Sequence, residues 1–362
     1  MIVDLVVLNY NGRHLLARCL PSIVAAAAHS QHRCRVTVVD NNSTDGSRSW
    51  LACEFPEVDV HVSTNLALCS FNHVLARLDG DVAILLNNDV ELATPAVDHL
   101  VAPLVADGVS RGGSCLFAAP QCWRSDGVTY EGLRTAVRWR WGLVQATALF
   151  PGHRPGIHES GLTASAGAVL AVDRAAFVEL GGFDPRYLPG RIEDLDFAYR
   201  GYLAGYHGVY VPAAVAYHIG AATFGASFGE AGCDALALRN TLLFQRKHLR
   251  HPLHVLRGMA GIGLRIAAEV VCAPFRSRAR RWRLCQALRA AWRRHRAFDD
   301  EVGNQGTTQN PTRERAFFRD FHPRRILRFG ASSAAVYAGD DDRGEALPSH
   351  SQEPTLVAGG PR

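Results

Sequence analysis

The chain has 362 residues, 48% of them hydrophobic, and a formal net charge of +5, enough for one large domain or two of ordinary size with a substantial core. Its nine cysteines are an odd, scattered set without a Cys-x-x-Cys pair, which argues for a reducing compartment and against a disulfide framework or zinc site. The charge is unevenly placed: between Arg276 and Arg296 there are nine arginines and no acid.

The first residues, Met1-Ile2-Val3-Asp4-Leu5-Val6-Val7-Leu8, carry no basic region or cleavage site and read as a strand rather than a signal peptide. That strand ends at Asn9-Tyr10-Asn11-Gly12, and Leu15, Leu16, Leu20 and Ile23 follow at helix spacing. A second strand, Arg35 to Asp40, closes on Asn41-Asn42-Ser43-Thr44-Asp45-Gly46-Ser47, and Val58 to Val62 is a third. A helix is predicted over Ser70 to Leu78. Asp81 to Leu86 is a fourth strand, ending at Asn87-Asn88-Asp89. Strands that alternate with helices imply βαβ units and a parallel sheet. Their apolar runs lack strict alternation, as expected for strands covered on both faces.

Ligands of such sheets bind outside the carboxyl ends of the strands, here three clusters of polar side chains. No Gly-x-Gly-x-x-Gly follows the first strand and there is no P-loop, so a ligand must be held by side chains, with or without a metal, rather than by a glycine cradle.

Further on, Ser125-Asp126-Gly127 reads as a hairpin turn with Asp126 a turn residue, and Ala164 to Val172 as a strand that starts with small residues. Small residues there let backbone approach a ligand, although tight packing explains them equally well. Gly181-Gly182 then leads to Glu193-Asp194-Leu195-Asp196, three carboxylates in four residues. Alone, that run reads as an acidic helix start, with Asp196 as its capping residue. Gly205 to Pro212 and Ala214 to His218 look like two short strands, and a helix from Ala235 to Leu249 closes the globular part. Leu253 to Ala273 is helical and largely apolar, but Arg257, Arg265 and Glu269 make it a poor membrane span. Residues 276–296 interleave Trp282, Leu284, Leu288 and Trp292 with arginines, a pattern that suits an anionic membrane surface or a solvated helix packed on the domain. No motif supports nucleic acid as a partner. The resulting division is 1–250 as the globular domain, 251–298 as a basic amphipathic membrane-associating segment, and 299–362 as a mostly disordered tail.

Three carboxylate positions stand out: Asp40, Asp89 and the 193–196 cluster. A base ring N–H can be read by the first. A hard divalent cation that neutralises a departing diphosphate can be held by the second. A proton can be taken from an attacking hydroxyl by the third.

In order and spacing the pieces Val7 to Gly12, Val39 to Ser47, Leu85 to Asp89, Ser165-Ala166-Gly167-Ala168, Gly181 to Asp184, Glu193 to Asp196, Val211-Pro212 with His218, Arg239-Asn240 and Lys247-His248 resemble glycosyltransferase family 2. The match is nearest to its rhamnosyltransferase-like branch and runs over roughly residues 2 to 250. The resemblance implies an α/β GT-A fold, a Rossmann-like mixed sheet flanked by helices, with C-terminal amphipathic helices appended. It implies that Asp40 contacts a uracil or thymine ring, with Asn9, Tyr10, Asn11, Ser43, Asn65, Asn72 and Asn88 on the nucleotide-sugar side. Asp89 and His218 would hold Mg²⁺ or Mn²⁺, Asn87 standing where the first acid of the family's Asp-x-Asp motif is usual. Asp194 would be the general base, Glu193 its partner, and Gly167 and Ala168 the acceptor side.

The implied activity is an inverting transfer of a sugar, rhamnose among the candidates, from a dTDP- or UDP-sugar to a lipid-linked or polysaccharide acceptor. The implied location is cytoplasmic, peripheral on the inner face of the plasma membrane. One departure is Ala67-Leu68, where the family carries Gly-Phe. It leaves a non-catalytic nucleotide-sugar-binding protein as an alternative. A sugar nucleotidyltransferase is disfavoured because Asn9-Tyr10-Asn11-Gly12 is not a glycine-rich basic loop, and a processive synthase because Thr135 stands where the Gln-x-x-Arg-Trp pattern of processive members would put a glutamine before Arg138-Trp139.

Overall fold

Apolar strands rich in Val, Ile and Leu set the architecture, because each needs a cover on both faces. A computed structural model of the chain describes residues 1–106, 115–132, 134–148, 155–220, 222–271 and 310–326. The strands β1 (Ile2–Asn9), β2 (Arg33–Asp40), β3 (Asp59–Val62) and β4 (Val82–Asn87) lie parallel in the order β3-β2-β1-β4. Helices α1 (Arg13–His29), α2 (Ser47–Glu54) and α3 (Ser70–Leu75) connect them. The order reverses between β1 and β4. That makes a topological switch point, where the carboxyl ends of the strands leave a crevice.

The sheet continues through antiparallel partners. After β5 (Val90–Leu92) and α4 (Ala96–Ala106) comes β6 (Cys115–Arg124), and after the hairpin β7 (Thr135–Arg140) and β8 (Leu143–Ala148) come β9 (Gly161–Leu162) and β10 (Val169–Asp173). Strand β10 inserts antiparallel between β4 and β6, and β11 (His207–His218) runs parallel to β6 and antiparallel to β5. The mixed sheet expected from the resemblance is present. Two sequence expectations change. Strand β10 starts at Val169, so 163–168 is irregular backbone beside the crevice rather than strand. The two short strands expected over 205–218 are one strand, with a register shift between Val211 and Val215 that absorbs Pro212.

A second core forms around α6 (Glu193–Ala204), reached through the short helix α5 (Arg174–Glu179), and α7 (Ala222–His248), which carries a kink at Gly229. Helix α8 (Pro252–Val271) follows. Residues 276–296, the basic segment read from the sequence, lie outside the described residues. The expectation of a mostly disordered tail from 299 does not hold for 310–326. There α9 (Pro311–Asp320) and α10 (Pro323–Ile326) bury Phe317, Phe318, Phe321 and Ile326 in the second core, and Phe321 accepts a backbone bond from Val137 at 2.8 Å. The sequence there is polar on average, so its three aromatic anchors were outweighed.

Candidate active site

The crevice at the switch point is built first from backbone register. Pairing of β1 with β2 sets Asn9 opposite Asp40, and pairing with β4 sets Leu8 opposite Asn87. Asn9 Nδ2 donates to Asp40 Oδ2 and to Ser43 Oγ, both at 3.2 Å, while Asn88 Nδ2 donates to Asn9 Oδ1 at 2.8 Å. Asp40 Oδ1 accepts from the Ser43 N–H at 2.8 Å, and Ser43 Oγ accepts from the Asn11 N–H at 2.9 Å. Asn11 and Asn42 hold positive φ (48° and 62°), a region asparagine tolerates. Gly12 makes the network possible: a Cβ there would sit 2.0 Å from Asn88 Nδ2.

Asp40 is fully buried beneath this turn, and its carboxylate pins the turn. Asp40 thus organises its own Asn41-Asn42-Ser43-Thr44 turn, while Gly46 stands at the N-cap of α2. Tyr10, Asn11, Asn42, Thr44 and Arg48 reach solvent there, Arg48 Nε lying 3.9 Å from Asp40 Oδ1.

Asn65 Oδ1 accepts from the Ala67 N–H at 3.1 Å and from Asn41 Nδ2 at 3.3 Å, which joins the donor loop to the end of β2. Ala67 itself sits at φ 47°, the conformation a glycine would take without strain. Asn72, expected among the nucleotide-sugar contacts, is placed differently. Its Nδ2 donates to Phe183 O at 2.8 Å and its Oδ1 accepts from the Phe183 N–H at 2.9 Å. The amide is spent on holding the Gly182-Phe183 turn, so Asn72 is corrected to a clamp.

Opposite the nucleotide side, β5 brings Val90 against His218 of β11, and so places Asp89 beside the imidazole. His218 Nε2 is 3.1 Å from Asp89 Oδ1, and its Nδ1 is 2.6 Å from Glu131 Oε2. Burial disfavours the imidazolium, but hydrogen bonds to the two carboxylates outweigh it and raise His218 to about 9. Glu131 was missed by sequence reasoning. It lies 87 residues from His218, without periodicity or motif to link them. Asp126 is the turn residue expected, accepting from the N–H groups of Val128 and Thr129 at 2.8 and 2.7 Å.

The carboxylates at the start of α6 arrive through a strained turn. Arg191 and Ile192 both hold φ near +80° (80° and 78°), costly for residues with a Cβ and compatible with a functional site. Buried Asn240 of α7 holds the turn: its Nδ2 lies 2.7 Å from Tyr187 O and Gly190 O and 2.8 Å from Arg191 O. Arg239 Nη2 donates to Leu188 O. These two residues belong to the resemblance, but only the tertiary structure gives them this role.

Burial raises the carboxyl pKa of both Glu193 and Asp194. The neighbouring Asp194 charge adds to the rise at Glu193, while hydrogen bonds from the Leu195 N–H, the Ser165 hydroxyl and the Gly167 N–H temper it at Asp194. Among the described residues Glu193 Oε2 is buried with no hydrogen-bond partner. Asp194 lines a pocket together with Asn87, Gly167, Ala168, Leu68 and Phe183. Gly167 holds φ 82°, which a side chain would strain.

Asp196 is not the cap the sequence suggests. It is fully buried and accepts from Arg200 Nε (2.7 Å), Lys247 Nζ (2.7 Å), His248 Nε2 (2.6 Å) and Tyr187 Oη (2.8 Å). It fastens α6 to α7.

Residues 4–123 match the family model described as glycosyl transferase family 2. Over 241 residues the chain is 27% identical to the N-acetylglucosaminyl-diphospho-decaprenol L-rhamnosyltransferase of Mycobacterium tuberculosis, in strains CDC 1551 / Oshkosh and ATCC 25618 / H37Rv; this is 60% of the present chain and 76% of the relative. The crystal structure of S. aureus TarS 1–349 in complex with UDP-GlcNAc superposes with a TM-score of 0.51 at 12% identity, covering 93% of this chain and 89% of that one, which shows the fold. Residues 4–123 thus match glycosyl transferase family 2, and the mixed sheet that carries them has the GT-A fold.

Proposed function

We propose that the chain catalyses inverting, divalent-cation-dependent transfer of a sugar from a dTDP- or UDP-sugar to a lipid-linked or polysaccharide acceptor, with rhamnose the first sugar to test. One observation carries this reading: Asp194 and Asn87 of the Asn87-Asn88-Asp89 turn line one pocket, together with Gly167 and Ala168. The proposed base thus shares a space with the turn that carries Asp89, as a single displacement needs.

Asp194 takes the proton from the acceptor hydroxyl as the hydroxyl attacks the anomeric carbon. Its raised pKa makes it a stronger base than an exposed aspartate, and the Ser165 and Gly167 hydrogen bonds fix its orientation. Glu193 Oε2, buried without a described partner, is free to accept a hydrogen bond from the acceptor. Asn9, Asn11, Asn65 and Asn88 shape the nucleotide side, Tyr10 and Arg48 offer a face and a positive charge at its rim, and Asp40 and Ser43 hold that turn in place.

The donor set at Asp89 and His218 fits a divalent cation. One carboxylate and one imidazole nitrogen suit Mn²⁺ or Mg²⁺ completed by substrate phosphates and water. When bound there, the cation would neutralise negative charge on the departing diphosphate.

The rival reading, a non-catalytic binder, drew on Ala67-Leu68 alone, and Ala67 keeps the backbone conformation of a glycine. Among the described residues no helix is long and apolar enough to cross a membrane, and a peripheral place on the inner face of the plasma membrane suits a lipid-linked acceptor. The test is a panel of dTDP-, UDP- and GDP-sugars with Mn²⁺ or Mg²⁺ and lipid extract. Asp194→Asn is expected to lower kcat by about 10²–10⁴-fold while leaving UDP or dTDP binding intact. Undiminished turnover by that variant removes Asp194 as the base.

A further inference from the structure

Helix α8 turns its bulk the wrong way for an ordinary surface helix. Its packed side is small: a Cβ on Gly261 would sit 2.2 Å from Gly142 Cα, and one on Gly258 would meet Gln245 Nε2 at 2.9 Å. Its outward side is large and apolar, with Leu253, Leu256, Met259 and Leu264 each 63% to 67% exposed. At 100° per residue the outward apolar positions, from Ile266 round to Leu264, cover an arc of about 160°. A soluble protein seldom leaves so continuous an apolar surface open to water.

The tip of the β7–β8 hairpin extends the patch. Trp141 is 68% exposed, and its carbonyl accepts from Arg265 Nε of α8 at 3.2 Å. Arginines border it: Arg138 and Arg140 are exposed on β7, and the Arg257 guanidinium stacks 5.0 Å from the Trp139 ring centre. In sequence the chain runs on from α8 into the nine arginines of 276–296. These charges choose the occupant. A second copy of the chain would press like charges together across the apolar arc. An anionic lipid surface offers acyl carbon to the leucines, an interfacial layer to the tryptophan and counter-charge to the arginines.

We propose that the outer face of α8 and the Trp141 hairpin tip form one surface that lies in the interfacial layer of an anionic membrane. The hairpin ties this surface to the acceptor side of the pocket. At its root, Thr135 Oγ1 accepts from the Ser165 N–H at 2.8 Å, two residues before Gly167. Strand β7 then runs about 17 Å to the hairpin tip. This deepens the reading of a lipid-linked acceptor, because the membrane then meets the protein one strand away from Gly167.

The test uses the full chain and sedimentation with vesicles of phosphatidylglycerol or of phosphatidylcholine. The wild type binds the anionic vesicles, and binding falls as salt rises. The triple variant Leu256→Gln, Met259→Gln, Leu264→Gln, and separately Trp141→Ala, keep the wild-type melting temperature; the triple variant binds at least about tenfold more weakly, since three buried apolar side chains are lost. Any of four outcomes overturns the proposal: no wild-type binding to anionic vesicles, equal binding to both lipids, unchanged binding by the triple variant, or a wild-type dimer that the triple variant converts to monomer without any vesicle binding. Vesicle binding requires no turnover, so a failed donor panel with intact vesicle binding would remove the acceptor reading and leave the surface.

Discussion

At the scale of single residues, the site is held by side chains whose work is positional. Ala67 is the clearest. It takes φ 47°, which costs a residue with a Cβ about 1 kcal/mol, less the greater freedom a glycine regains on unfolding. Ala67→Gly is therefore expected to stabilise the protein by roughly 0.5–1 kcal/mol in urea denaturation. A loss of stability would show that the loop relaxes without strain. Glu131 is the second case. It fixes the ring of His218 from the side away from Asp89 at 2.6 Å. A carboxylate behind a ligand imidazole orients it and raises its basicity, so Glu131→Gln should weaken Mn²⁺ affinity by about 10–100-fold in direct metal titration, with little change in melting temperature. Unchanged affinity would leave Glu131 a packing residue. At this scale Asn9, Asn88 and Asp89 were legible as polar ends of strands. Glu131 and Asn240 were not, because nothing local in the sequence marks a partner that only long-range pairing brings near.

Among elements, the join between α6 and α7 decides whether the acidic helix start is presented to the pocket. Asp196 gathers Lys247 and Arg200 in a buried ionic cluster, with the His248 ring as a further donor at 2.6 Å, and Lys247 also reaches Asp184 at 2.6 Å. Removing one charge from such a cluster leaves others unpaired, so Asp196→Asn is expected to cost about 3–5 kcal/mol. In a domain of this size that is a fall in melting temperature of roughly 6–20 °C. The cluster also predicts acid sensitivity. Burial lowers His248 to about 4 against an ordinary 6.5, and Lys247, Arg200 and His248 hold Asp196 well below the usual carboxylate range despite its burial. Both folded values lie below the unfolded ones, so the unfolded chain takes protons first. Stability should fall as pH drops from about 6.5 to about 4 through His248, and further below about 3.8 through Asp196. In melting curves, His248→Gln should flatten the first window relative to wild type; parallel profiles would place the acid loss elsewhere. From the sequence Asp196 looked like a cap, because a local reading sees only its neighbours along the helix.

For the whole molecule, two cores carry two halves of the site. The first packs β1, β2 and β4 and fixes the strand ends around Asn9, Asp40 and Asn88. The second packs the β7–β8 hairpin, α6, α7 and the helices at 311–326, and fixes the acidic start of α6. The late helices are thus part of the packed unit that presents Asp194 to the pocket. Phe317, Phe318, Phe321 and Ile326 each contribute roughly 1.5–3 kcal/mol of burial, together comparable to the net stability of a domain. A chain ending at residue 309 is expected to aggregate or melt far lower than one ending just after Ile326. Equal melting temperatures would show that the second core stands without them.

The sequence alone determined the sheet's first half, because buried parallel strands write themselves as apolar runs ending in polar turns. The order of the family 2 pieces likewise marked Asp40, Asp89, Asp194 and His218 as the residues to follow. Tertiary structure decided what each does in the fold. It buried Asp40 under its own turn, set Asp196 between Arg200 of its own helix and Lys247 of α7, spent Asn72 on Phe183, and put Glu131 behind His218. It also turned the leucines of α8 outward. The physical reason is that burial and charge pairing depend on what lies across space, and partners 51, 87 or 111 positions apart carry no local trace of meeting.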